Sequence, residues 1–123
     1  MNRFVTKTTH AYLDYPVAVG LIVMPTLLGL GSTNPMAFWL SIVTGVAALL
    51  LTLFTDHATG VFPVLPYTLH LMVDATVGLG FIVAPFLLGF TGLDAVYYWA
   101  IGATVMIVVA LHKAEEDSTA VAA

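Results

Sequence analysis

Two residue pairs carry most of the chemistry this chain can offer: His10 with Asp14, and His70 with Asp74. In each pair the imidazole precedes the carboxylate by four positions, which puts both on one face of a helix. Such a pair can hold a proton or a cation, which makes Asp14, Asp74, His10 and His70 a candidate polar or ion site. His57 and His112 add two further imidazoles. His10, His57, His70 and His112 together are a candidate metal centre or a source of axial haem ligands. No His-x-x-x-His or His-Glu-x-x-His spacing supports that reading. Cysteine is absent, which excludes thiolate metal sites, iron–sulfur clusters, disulfides and cysteine nucleophiles. There is no Ser-His-Asp order and no phosphate-binding glycine loop. The expectation is a protein that is not an enzyme, with no catalytic residue and no required cofactor.

The elements that must position these groups follow from composition. Of 123 residues, 60% are hydrophobic and 8% charged, with mean hydropathy +1.02. A soluble domain carries about 25% charged residues, so lipid is the expected solvent. Residues 15–55, 75–93 and 95–112 contain no Asp, Glu, Lys or Arg. A transmembrane helix needs about 20 mostly apolar residues, which divides these runs into four spans and leaves no separate soluble domain. The spans are expected from between Lys7 and Pro16 to about Gly29, from Met36 to Phe54, from Pro66 or Tyr67 to about Gly89, and from Ala95 to His112. The run after Lys7 is longer than a signal h-region and has no clear cleavage site, so it is read as the first span. Residues 113–123 read as a disordered tail.

Pro25 lies inside the first span and Pro85 inside the third, and each is a candidate kink. Ala37, Ser41 and Gly45 form a small-residue stripe that lets helices approach closely in lipid. Trp39, Trp99, Tyr97 and Tyr98 open the second and fourth spans and read as interfacial anchors. Asp14 precedes Gly29 by about 22 Å of helix at ~1.5 Å per residue. Against a hydrocarbon layer of ~30 Å, this puts the carboxylate near an edge of the membrane rather than its centre. Near an edge, the bland reading of an acid at a helix start competes with ion handling.

Sliding residues 10–52 onto 70–112 without a gap superposes His10 on His70, Asp14 on Asp74, Gly20 on Gly80, Pro25 on Pro85, Gly29 on Gly89 and Trp39 on Trp99. The chain is therefore read as an internal repeat. Each copy holds two spans, so both enter the membrane in the same sense. The fold class expected is all-α: a four-transmembrane-helix bundle made of two parallel two-helix repeats, related by a pseudo-two-fold along the membrane normal. An axis running beside the first and third spans would bring Asp14 and Asp74 to one site. Arg3, Lys7 and Lys113 all fall at one end of such a bundle, which predicts both termini and the 56–66 connection on the cytoplasmic side.

The Pro-containing ends Met24-Pro25-Thr26-Leu27-Leu28-Gly29-Leu30 and Ala84-Pro85-Phe86-Leu87-Leu88-Gly89-Phe90, each followed by Trp39 or Trp99, resemble the SPW-repeat membrane proteins. Of the family's Ser-Pro-Trp only the proline stands in each copy. The resemblance covers about residues 10–112 and implies a prokaryotic integral membrane protein with two helices per repeat and no defined activity. Three functions are carried forward. The first is a non-catalytic accessory or scaffold subunit, or a self-associating bundle, with lipid and other membrane subunits or itself as partners. The second is a small proton- or cation-coupled transporter using Asp14 and Asp74. The third is a haem- or metal-binding protein using the histidines. With three Lys and Arg in all, the chain has no basic patch for nucleic acid.

Overall fold

The computed structural model describes the backbone of residues 7–55, 61, 62 and 64–122, and the side chains of 12–55, 61, 62 and 64–111. Four helices account for the described residues: α1 (Lys7–Leu28), α2 (Pro35–Phe54), α3 (Tyr67–Leu88) and α4 (Gly92–Ala122). The expected spans are all present. Both ends of the last helix differ: α4 begins at Gly92, ahead of Ala95, and it does not stop at His112, since the segment read as a disordered tail continues the helix to Ala122. No glycine or proline follows Gly102, and Ala, Lys and Glu are strong helix formers.

α1 and α3 end in the same way. Gly29 and Gly89 sit at φ +66° and +73°, a left-handed conformation that glycine adopts without steric cost. The next residue then donates back into the last turn, Leu30 N to Pro25 O at 2.9 Å and Phe90 N to Pro85 O at 3.1 Å. This is a Schellman cap, in which the residue after the glycine is apolar and packs inward. Leu30 and Phe90 are both buried. The repeated Leu-Leu-Gly-Leu and Leu-Leu-Gly-Phe runs are therefore helix stops with a buried apolar closure.

Asn34 starts α2. Its Oδ1 accepts from Met36 N at 3.1 Å, and Pro35 occupies the first turn, where a missing N–H costs nothing. The side-chain amide of Asn34 also donates to Leu88 O, at the end of α3, at 2.7 Å. At the other end of α2, Val61 N and Phe62 N both donate to Leu53 O at 2.9 Å, and Leu65 N donates to Phe54 O at 2.8 Å. The chain before α3 thus folds back to satisfy the last carbonyls of α2.

α1 packs along α2 and α3 along α4, whereas contacts between the two pairs are far fewer. Close approach within each pair depends on small residues. Ala37, Ser41 and Gly45 are all buried on α2. A Cβ at Gly45 would lie 2.8 Å from Leu21 Cβ and 2.9 Å from Ala18 O, and one at Gly102 would lie 2.7 Å from Gly78 O. The core is Leu21, Leu30, Phe81, Ala84, Phe90 and Tyr98 with their neighbours. Outward-facing side chains are apolar on both pairs, including Leu27, Val43, Met72, Phe86 and Leu87. Three helices are long and apolar enough to cross a membrane, over Pro35–Phe54, Tyr67–Leu88 and Gly92–Leu111, and α1 adds the shorter apolar stretch Tyr12–Leu28.

Candidate functional site

The polar side chains inside the bundle gather at its two ends. At the end where α1 and α3 begin, Asp14 sits about two turns into α1, while His70 and Asp74 occupy the first two turns of α3. His70 is fully buried, and its Nε2 lies 3.2 Å from Asp14 Oδ2 and 3.2 Å from Asp74 Oδ2. One imidazole thus bridges carboxylates from both helix pairs. Asp74 reaches it along its own helix, at the four-residue spacing, and Asp14 reaches it across the bundle. Tyr67 stacks over the imidazole at 5.8 Å between ring centroids.

The other ring nitrogen fixes the proton arrangement. His70 Nδ1 lies 2.8 Å from Thr55 Oγ1, and that hydroxyl donates to Leu51 O. A threonine hydroxyl has one hydrogen, so Nδ1 must be the donor to Thr55. The lone-pair nitrogen of a neutral His70 would then be Nε2, aimed at two carboxylate oxygens. Three acceptors converging at these distances repel one another unless a proton or a cation lies among them. The geometry therefore defines a site for a positive charge, built by α1, α2 and α3.

A cavity of about 110 Å³ opens beside the cluster, lined by Asp14, His70, Asp74, Thr52 and Thr104 among apolar side chains of all four helices. A second cavity, of about 320 Å³, reaches further between the pairs and shares Asp74, with Thr44 on its wall.

The opposite end is joined differently. Pro25 has no N–H to offer Leu21 O, the carbonyl four residues earlier. Ser41 Oγ supplies the missing hydrogen bond from α2, at 2.8 Å. With that hydroxyl committed, Tyr97 on α4 must donate to Ser41 Oγ, at 2.7 Å. Tyr98 donates to Ala37 O at 2.7 Å, and Gly31 N donates to Asp94 Oδ1 at 3.0 Å. Every one of these three α4 contacts crosses from one helix pair to the other. Asp94 also lies in the first turn of α4, where the helix dipole favours an acid.

The structure brings Asp14, His70 and Asp74 together, and it adds Thr55, which the sequence gave no reason to single out. The side chains of His10 and His112, and the whole of His57, lie outside the described residues. Of the four aromatic residues read as interfacial anchors, Trp39 and Trp99 are exposed. Tyr97 and Tyr98 are buried instead, because their hydroxyls find partners on α2 across the bundle. Trp99 donates to Ile82 O at 3.0 Å. Pro25 and Pro85 both lie inside their helices and are buried.

Three helices long and apolar enough to cross a membrane, with a fourth shorter apolar stretch in α1, define a small helical membrane protein. The family model for the SPW repeat domain matches residues 8–113, and the chain belongs to that family. Neither the curated proteins nor the solved structures contain a match to it.

Proposed function

We propose that the protein is a non-catalytic membrane bundle, acting as an accessory or scaffold subunit or by self-association, whose two helix pairs are held together by a positive charge caged at Asp14, His70 and Asp74. The observation that carries this reading is the bridging position of His70 Nε2, 3.2 Å from a carboxylate of each pair. Its non-catalytic part is supported by the use of the other buried polar groups. Ser41, Tyr97, Tyr98 and Asp94 are committed to contacts between helices. The test has two arms. Asp14→Asn with Asp74→Asn should lower the thermal stability of the detergent-purified protein, and mild-detergent co-purification should recover a membrane partner or a defined oligomer. An unaltered melting point, or a lone monomer, would count against the corresponding half of the reading.

A second reading, a small proton- or cation-coupled carrier, is favoured by one observation: Asp74 lines both cavities between the pairs. Passage to the far side would require Tyr98, Phe81 and Phe90, packed at 4.5 and 4.8 Å between centroids, to separate. Flux into vesicles that is unchanged by the double Asn variant would remove this mechanism.

A further inference from the structure

We infer that the positive charge held at this centre is a divalent transition-metal ion, ligated by Asp14 Oδ2, Asp74 Oδ2 and His70 Nε2. The inference rests on the reading above that a caged charge joins the two pairs, and it names the occupant. Three observations lead to it.

The first is spacing. The three donor atoms lie within 4.8 Å of one another, and the nitrogen is 3.2 Å from each oxygen. In a tetrahedral site with bonds of ~2.0–2.1 Å, donors stand about 3.3 Å apart. The two nitrogen–oxygen spacings already match, and the two carboxylate oxygens have to draw together by at most about 1.5 Å to close on an ion of that size.

The second is the tautomer. A metal-binding histidine presents a lone pair on one nitrogen and donates a hydrogen bond from the other, which sets its ring orientation. His70 meets both conditions, because Thr55 accepts from Nδ1 while its own hydroxyl is anchored to Leu51 O. The hydrogen-bond chain from Leu51 through Thr55 to His70 is the supporting structure such a ligand requires.

The third is charge. Two carboxylates, one neutral imidazole and one dication sum to zero, whereas an imidazolium in the same place leaves the three side chains at −1. A ligand set whose charge sums to zero with its ion is the arrangement an apolar surround favours. The three protein ligands leave a fourth position, which faces the cavity of about 110 Å³ and has room for a water.

Metal and proton compete for one lone pair. Binding must displace whatever proton lies on Nε2 or on the facing carboxylates, so it releases a proton to the buffer and weakens as pH falls.

The experiment uses the full chain, purified in detergent with a histidine-free tag and stripped with chelator. Zinc is titrated against a chromophoric competitor, and proton release is read in weakly buffered solution. One ion should bind per chain. Binding should persist in a His10→Gln, His57→Gln, His112→Gln background, vanish in Asp14→Asn and in Asp74→Asn, and weaken about 10- to 100-fold in Thr55→Val. Circular dichroism confirms that each variant is folded, and Thr55→Val serves where an aspartate variant is not. Binding that survives the aspartate variants, or that is lost in the triple-histidine background, overturns the assignment. If zinc does not bind but the double Asn variant still loses stability, the caged charge is a proton and only the metal is overturned. If neither effect is seen, the charge-latch reading falls with it.

Discussion

Ser41 shows how a single hydroxyl can be fixed by a proline on another helix. Pro25 leaves Leu21 O without its helical donor, and Ser41 Oγ fills that role at 2.8 Å while accepting from Tyr97 at 2.7 Å. Ser41→Ala therefore strands a buried carbonyl and a buried phenol at once. Leaving a buried polar group unsatisfied costs about 1–3 kcal/mol, so unfolding in mixed detergent should show a loss of that order. Tyr97→Phe in the Ser41→Ala background should restore part of it, since it removes one stranded group. A double variant less stable than Ser41→Ala would argue against the hydrogen bond. At this scale the sequence was legible for residue types but not for partners. The four-residue spacing identified His70 with Asp74, because helical neighbours are fixed by the period. It could not show that Asp14 also meets His70, because that contact depends on how α1 lies against α3. Thr55 was hidden for the same reason: one threonine at the end of an apolar run looks like any helix end.

The helices themselves were written plainly. Uncharged runs, the Leu-Leu-Gly stops and the Asn34-Pro35 start located the end of α1 and both ends of α2 and α3 to within a residue or two, while the start of α1 was bounded only between Lys7 and Pro16. The small-residue stripe predicted which side of α2 faces inward. Tyr97 and Tyr98 were misread because an aromatic residue at a span end suits both a lipid interface and a buried hydrogen bond, and only the facing helix decides between them. The element scale also separates two kinds of glycine. A methyl group at Gly102 would meet backbone, 2.7 Å from Gly78 O and 3.0 Å from Ile82 N, so α3 and α4 would have to move apart. At Gly80 nothing lies within 4 Å. Gly102→Ala should cost about 1–3 kcal/mol through overpacking. Gly80→Ala should be neutral or gain up to about 1 kcal/mol, because alanine favours helix. Thermal unfolding of both variants in one detergent checks the contrast, and equal effects would show that α3–α4 approach does not depend on Gly102.

The whole molecule is two tightly packed helix pairs joined at both ends and open between them. The far joint is neutral apart from Asp94, and the near joint is the Asp14–His70–Asp74 centre. Charge supports a proposal for which face of the membrane the centre occupies. Four successive spans return the chain to the side where it began. Arg3 precedes α1, Lys7 is its first residue and Lys113 follows the apolar part of α4, so in sequence order every lysine and arginine in the chain falls at the end that carries the centre. The short connections at the other end, 29–34 and 89–91, have none. The positive-inside rule counts Lys and Arg in short flanks of this kind, so the near joint is proposed to face the cytoplasm. A fluorescent reporter fused after Ala123 should then fluoresce, and alkaline phosphatase at the same place should stay inactive. Phosphatase inserted after Thr33 should instead be active. The same orientation predicts that ions reach His70 from the cytoplasmic side. In right-side-out vesicles a membrane-impermeant chelator should leave the centre loaded, and in inverted vesicles it should strip it. Stripping from the outer face alone would reverse the orientation, and with it the route by which the charge at the near joint is exchanged.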